Sequence, residues 1–236
     1  KQERDADKSR DNANRVNLED AVDIVGTCDM MCPEFESLQR YFERDLDPFE
    51  KSPNGAYDRK LMVQAFARAA AGNDLPPLED IRPPPLLRVT VDYLLDHILV
   101  RYGIEATHNF IWNRTRAVRS DLTRQRDHSA DSIYCLERII RYHILAFHEV
   151  CRGQREIETL EIEQLKKALQ SLTEVYHDAR AEYISPNEAE FRSYYILMHI
   201  RSRHAPFTLR SLPPAIYSAP VLQWALRIRF TLSRNS

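Results

Sequence analysis

The chain has 236 residues, of which 43% are hydrophobic and 29% are charged, and its formal net charge is −2. These values are typical of a soluble globular protein with one large domain or two small ones. They exclude a strongly basic chain that coats nucleic acid through bulk charge. The five glycines form no GxG pair, which argues against a glycine-rich phosphate loop and a turn-dense all-β fold.

The four cysteines do not make a disulfide framework in a chain of this size, and they fit a reducing compartment. Cys28 and Cys32, even with His143 and His148, lack the paired short spacings of a structural zinc site. We therefore expect no metal and no cofactor. No apolar run approaches the ~18 residues that a membrane span needs, so we expect no membrane segment.

The chain begins with a polar stretch and continues as a series of helix signals. Residues 1–15 are almost wholly charged or polar, which predicts a flexible arm, and residues 16–236 are predicted to form one helical domain. Pro33 marks the start of a first helix. Residues 56–71 lie between a Ser-Pro-Asn-Gly turn and Gly72, and they are predicted to form a second helix.

The middle of the chain carries the clearest helical periods. A third helix is predicted from the prolines at 83–85 to Gly103, and residues 106–126 are predicted to form one long helix. In the next two segments apolar residues recur at spacings of three and four, which predicts two amphipathic helices. The two stripes are Ile133, Leu136, Ile140, Ile144, Phe147 and Cys151, then Leu165, Leu169, Leu172, Tyr176, Ala179 and Tyr183.

Two more helix starts carry capping signals. Ser185 and Glu188 fit a capping box around Pro186, and Ser218 with Pro220 repeats the pattern before the last apolar run. No segment alternates with period two, so the sequence predicts an all-α fold. Seven or eight amphipathic helices on short loops must stack pairwise, and we expect an irregular αα-solenoid similar to a tetratricopeptide-like helical stack.

Four motifs, in order along the chain, resemble those of the suppressor-of-actin/GANP family. They are GTCDMMCPE at 26–34, DIRPP at 80–84 with VDYLL at 91–95, FIWNRTRAVRSDLT at 110–123, and PNEAEFRSYY at 186–195. A closing segment, LPPAIYSAPV at 212–221, is also similar. The resemblance covers roughly residues 16–230.

The resemblance implies a non-enzymatic scaffold of the transcription-and-export complex for mRNA, located in the nucleus at the nuclear-pore basket. The implied partners are a PCI-domain subunit and a small acidic subunit of the proteasome-lid type, with a DEAD-box RNA helicase and an mRNA export receptor as further partners. Family members carry a PCI-type module that ends in a winged helix. We therefore expect this chain to be the N-terminal part of such a module, without the winged helix.

Two groups of arginines are candidate functional or structural residues. No acidic residue follows Glu190, so the basic residues near the C-terminal end are candidate contacts with nucleic acid or a partner. These are Arg210, Arg227, Arg229 and Arg234. Arg114, Arg116 and Arg119 of the long helix do not share one face, and we expect one or more of them to pair with Glu188 or Glu190 in the interior.

Other functions are weighed against the scaffold. The basic helical surfaces also suit a direct nucleic-acid-binding module for RNA or DNA, and the family includes proteins at centrosomes. We expect only weak nucleic-acid binding, in the assembled complex. An enzyme is disfavoured because no catalytic triad, carboxylate pair or phosphate loop stands out, so we expect no catalytic residues.

Overall fold

The computed structural model describes residues 24–52, 54–67, 76–201, 209 and 211–234. Helices dominate these residues, and no strand occurs among them, which confirms the all-α class. The predicted arm at 1–15 lies outside the described residues. The solenoid and the PCI-type module stay predictions.

The α-helices of the described residues vary widely in length. They are α1 (Glu34–Phe42), α2 (Pro84–Asp92), α3 (Leu99–Tyr102), α4 (Ile104–Gln125), α5 (Ala130–Glu149), α6 (Arg155–Asp178), α7 (Glu188–Met198), α8 (Pro214–Tyr217) and α9 (Pro220–Arg234). A π-helical segment (Tyr93–Ile98) joins α2 to α3. Short 3-10 helices lie at Pro48–Glu50, Arg59–Leu61, Leu78–Asp80 and Ala179–Ala181.

Helix boundaries follow the predicted signals in most places. Gly103 has a φ of 81° and separates α3 from α4, a conformation that only glycine adopts without strain. The Ser129 hydroxyl accepts a hydrogen bond from the Ser132 N–H and caps α5. The predicted long helix at 106–126 is confirmed as α4, and the first helix is confirmed as α1.

The helix predicted at 56–71 is wrong where the structure describes it. Residues 62–67 form neither a helix nor a strand, and residues 68–71 lie outside the described part. The physical reason is that four consecutive N–H groups find acceptors elsewhere in the protein, which replaces the i→i−4 bonding of a helix. Val63 donates to Glu50 Oε1 (3.0 Å), Gln64 to the Met31 carbonyl (2.9 Å), Ala65 to Glu36 Oε1 (2.7 Å) and Phe66 to Asn113 Oδ1 (2.9 Å).

The core forms where α5 packs against α6 and α2, and where α7 packs against α6 and α9. Both predicted stripes supply it: Ile133, Leu136 and Ile140 are buried on α5, and Leu165, Leu169, Leu172 and Tyr176 on α6. Each such side chain contributes about 1.5–3 kcal/mol on burial. Cys151 and Ala179, just beyond the ends of the two helices, are also buried, whereas Phe147 and Tyr183 of the same stripes are more than one-third exposed.

Candidate partner-binding surface

Three of the four motifs meet at one fully buried guanidinium, that of Arg82. Its Nε donates to Asp121 Oδ2 (2.8 Å) and its Nη1 to the Met31 carbonyl (3.3 Å). Gln125 Nε2 donates to the Arg82 carbonyl (2.9 Å), and Gln125 Oε1 accepts the Gly26 N–H (2.9 Å). Because each buried polar group here needs its partner, this cluster holds the segment before α1 and the segment before α2 to α4.

Gly26 is required by close packing rather than by its own torsion angles. A Cβ at this position would lie 2.1 Å from the Ile81 carbonyl oxygen. On either side of that contact, the Thr27 N–H donates to the Leu78 carbonyl (2.8 Å) and the Cys28 N–H to the Ile81 carbonyl (3.0 Å). The first motif therefore carries glycine because two backbones touch there.

A second buried cluster surrounds Glu50. Its carboxylate accepts hydrogen bonds from Arg40, from Arg114 Nη2 (3.3 Å to each oxygen) and from the Val63 N–H (3.0 Å). Glu36 Oε1 lies 3.6 Å from Arg40 Nη1, so two carboxylates balance two guanidinium groups. Arg114 therefore pairs with Glu50, and its predicted pairing with Glu188 or Glu190 is wrong.

Glu188 is buried and paired with arginine, but its partners are local ones. Arg180 Nη1 and Nη2 donate to its two oxygens (2.7 and 2.5 Å), and Arg192 Nε and Nη2 donate to Oε1 (3.1 and 2.9 Å). Glu190 instead bonds Arg141 of α5 (3.0 and 2.8 Å). Arg192 lies one helical turn beyond Glu188, and Arg180 lies in the 3-10 helix that follows α6, eight residues before Glu188, so both reach the carboxylate over short distances along the chain.

The other arginines of α4 contact different neighbours from those predicted. Arg119 hydrogen-bonds the Gln164 side chain and carbonyl, and burial beside Arg116 lowers the pKa of Arg119 to about 10. The Arg116 guanidinium stacks 4.0 Å from the Phe66 ring centre and 4.5 Å from that of Trp112. The predicted Arg119 pairing with Glu188 or Glu190 is wrong, because the Arg119 guanidinium donates its hydrogen bonds to Gln164 instead.

The fourth motif is held by a carboxylate from α5. Glu137 Oε1 accepts hydrogen bonds from the Tyr176 hydroxyl (2.7 Å) and the Ser185 hydroxyl (2.5 Å), and Oε2 accepts from Asn187 Nδ2 (2.7 Å). Ser185 Oγ also accepts the Asn187 N–H (3.1 Å), so it caps the turn before α7. The predicted capping box is wrong in its second half, since Glu188 binds arginines.

A further buried cluster joins α4, α5 and α6. His143 Nδ1 lies 2.5 Å from Glu161 Oε1, and His108 Nε2 lies 3.3 Å from Glu161 Oε2. Burial opposes ionisation of Glu161, yet hydrogen bonds from the two histidines hold its pKa below the usual value. The buried Cys151 lies beside Glu161, and burial raises the pKa of its thiol to about 11. These residues share no short spacing, so no sequence pattern indicates the cluster.

The last helix, α9, has apolar residues on two faces. Leu222 and Ala225 are buried on the side that packs against α7. Val221, Trp224 and Ile228 follow at spacings of three and four on another face, and Trp224 is 67% exposed. Exposed apolar residues grouped in this way mark interaction surfaces. Trp224 and Ile228 line an open groove of about 420 Å³, together with Arg227, Thr231 and Leu232.

The predicted contact arginines differ in what they do. Arg227 is exposed and lines the groove. Arg229 Nη1 donates to the His199 carbonyl (2.7 Å), which ties α9 to the end of α7. Arg210 and the side chain of Arg234 lie outside the described residues. Among the predicted contact arginines whose side chains the structure describes, Arg227 is the one that is exposed on the surface of α9.

Comparison with known sequences assigns the chain to a protein family. A sequence model of the SAC3/GANP family matches residues 31–236. The chain belongs to the SAC3/GANP family. This confirms the resemblance carried by the four motifs, which the structure uses to join its helices.

The SAC3/GANP relatives are much longer proteins. SAC3 family protein 1 of Schizosaccharomyces pombe is 43% identical over 223 residues, which is 93% of this chain and 22% of that protein. SAC3 family protein B of Arabidopsis thaliana is 35% identical over 84% of this chain and 12% of its own length. Protein xmas of Drosophila melanogaster is 27% identical over 88% of this chain and 10% of its own length. The chain therefore spans about a fifth or less of these SAC3/GANP relatives.

SAC3/GANP proteins are scaffolds and are not known as enzymes. Within the residues that the structure describes, no helix is both long and apolar enough to cross a membrane.

Proposed function

We propose that this chain is a helical scaffold segment of a nuclear mRNA-export complex and helps to couple transcription to export. The observation that carries the proposal is the family match over residues 31–236. The motif side chains support it, because Arg82, Asp121 and Glu188 are buried in hydrogen-bonded clusters. Residues used in this way build a rigid framework whose outer faces bind partners.

The proposed partners are a PCI-domain subunit and a small acidic subunit, with the complex at the nuclear-pore basket. The face of α9 suits the PCI-domain subunit, because an indole and an aliphatic side chain at its centre supply the apolar anchor that interfaces use. Arg227 at the edge supplies a positive charge for an acidic neighbour. Binding of the DEAD-box RNA helicase and the export receptor belongs to the same proposal for the whole protein.

The proposal is tested by recovering the tagged full-length protein from nuclei and identifying the proteins bound to it. The test variant is Trp224→Asp/Ile228→Asp, which places two charges on the α9 face. The control variant is Val89→Asp/Leu160→Asp, which makes the same change at two residues that are 57% and 50% exposed on α2 and α6. We expect the test variant to lose at least ten-fold of the PCI-domain subunit and the control to retain it, with both melting like the wild type.

Four outcomes separate the parts of the proposal. Recovery of no export subunit by the wild type would refute the scaffold function. Normal recovery by the test variant would refute only the role of the α9 face. Crosslinking of the purified chain to RNA without any partner would favour the nucleic-acid-binding function, and recovery of centrosomal proteins would favour the centrosome-associated one.

A further inference from the structure

Three side chains with metal-binding atoms converge where α4, α6 and the loop after α5 meet. His108 comes from α4, Glu161 from α6, and Cys151 from that loop. Glu161 and Cys151 are fully buried and His108 is 6% exposed. One ligand atom from each residue lies within 4.8 Å of the other two. Burial sets this group apart from the clusters of exposed carboxylates that are common on protein surfaces.

The distances fit a tetrahedral centre. A metal that binds nitrogen and oxygen at about 2.0–2.1 Å with a tetrahedral angle places those two atoms about 3.3 Å apart. His108 Nε2 and Glu161 Oε2 are separated by 3.3 Å. The longer metal–sulfur bond of about 2.3 Å places a sulfur about 3.6 Å from each of the other ligand atoms. The ligand atoms lie within 4.8 Å of one another, so the Cys151 sulfur has to approach the other two by up to about 1.2 Å. Its loop contains Gly153 and the exposed Arg152.

The carboxylate is already oriented for such a role. His143 Nδ1 lies 2.5 Å from Glu161 Oε1, which leaves Oε2 directed toward His108. A hydrogen bond of this kind to the other oxygen is how outer-shell residues fix a ligating carboxylate. His143 is itself fully buried, and its Nε2 has no hydrogen-bond partner among the described residues. Its ring is therefore held through the carboxylate.

The ligand atoms of His108, Cys151 and Glu161 indicate which metal ion would bind. A thiolate sulfur with an imidazole nitrogen suits zinc, whereas calcium and magnesium require oxygen ligands. A thiolate and a carboxylate also balance the two positive charges of the ion, so the buried centre would carry no net charge.

We propose that His108, Cys151 and Glu161 bind a zinc ion, with a solvent molecule as the fourth ligand, and that His143 orients Glu161. The ion links the loop between α5 and α6 to α4. Its role is to stabilise the packing of these three helices.

The test begins with the purified wild-type chain and needs no substitution. We expect about one zinc per chain by mass spectrometry after purification without chelators, and a lower melting temperature after its removal. Cobalt(II) added to the metal-free chain should give one equivalent of bound ion, with the charge-transfer absorption of a thiolate ligand and the intense visible bands of a tetrahedral site. Sub-stoichiometric zinc and no thiolate–cobalt band would overturn the proposal.

Three variants then test which thiol binds the metal and whether His143 lies outside the ligand set. Cys151→Ser should abolish the charge-transfer band, whereas Cys135→Ser, which removes another fully buried thiol on α5, should leave it unchanged. His143→Phe should weaken zinc binding by about 10–100-fold and keep the band at saturation, as expected for a residue outside the ligand set. Loss of the band in Cys135→Ser, or its survival in Cys151→Ser, would assign the metal to other residues.

Discussion

Replacing Glu50 by alanine should destabilise the protein more than most single substitutions. The carboxylate is 1% exposed and compensates Arg40 and Arg114, which are both 7% exposed. Removing one partner of a buried ion pair costs about 3–5 kcal/mol, because the remaining charge stays buried. The Val63 N–H also loses its acceptor. The neighbouring Glu36 retains part of the compensation, so we expect a loss of about 4 kcal/mol.

Urea denaturation followed by circular dichroism at the helix band measures this loss. For a chain of this length, about 4 kcal/mol corresponds to a fall in melting temperature of roughly 8–16 °C. Glu43→Ala is the matched control, since Glu43 is exposed and bonds only Gln39 among the described residues. It should change the free energy of unfolding by less than about 0.5 kcal/mol. A loss below about 1 kcal/mol in Glu50→Ala would refute the reasoning, since exposed pairs contribute that much.

Four other substitutions test the remaining contacts. Gly26→Ala should lower the free energy of unfolding by about 1–3 kcal/mol, because its Cβ would lie 2.1 Å from the Ile81 carbonyl oxygen. An unchanged midpoint of urea denaturation would contradict the close contact. Glu188→Ala should lower the free energy of unfolding by about 3 kcal/mol and Glu190→Ala by at most about 1 kcal/mol, since of these two carboxylates only that of Glu188 is buried. Equal losses in the two variants would contradict this ranking. Arg141 holds the pKa of Glu190 below its ordinary value of 4.5. The stability that Glu190 contributes is therefore present above pH 4.5 and is lost as the pH falls through the lower pKa of the folded state. Melting curves of the wild type and Glu190→Gln should therefore differ at pH 7 and converge in acid.

The sequence predicted the helices that follow a period of 3.6 and end at glycine or proline. The stripes of α5 and α6 were predicted correctly apart from Phe147 and Tyr183, because each stripe needs only residues three and four positions apart. Residues 62–67 were predicted wrongly because their acceptors, such as Glu36 and Asn113, lie 29 and 47 positions away along the chain. No local pattern records such contacts, and tertiary bonding overrode the helical propensity.

The polar clusters were predictable only in part. The sequence indicated that Glu188 or Glu190 would be buried with an arginine, and this is correct for Glu188 alone, but the identity of the partner depends on how α7 meets the end of α6. The cluster of His108, Cys151 and Glu161 joins residues up to 53 positions apart, and it becomes visible only once three helices are packed. Periodicity fixes which face of a helix is buried, whereas the contacts across that face depend on the packing angles.

Nucleic-acid binding by this chain alone should be weak and should depend on Arg227 more than on Arg229. The net charge of −2 gives no long-range attraction for a phosphate backbone. Arg229 donates to the His199 carbonyl, so its reversal to glutamate should lower the melting temperature. Arg227 is exposed, so Arg227→Glu should leave stability unchanged and lower the slope of log affinity against log salt by about one. Fluorescence anisotropy with labelled RNA and duplex DNA measures both effects. A dissociation constant well below the roughly micromolar range of non-specific binding, at physiological salt, would contradict this expectation and would favour a nucleic-acid-binding function.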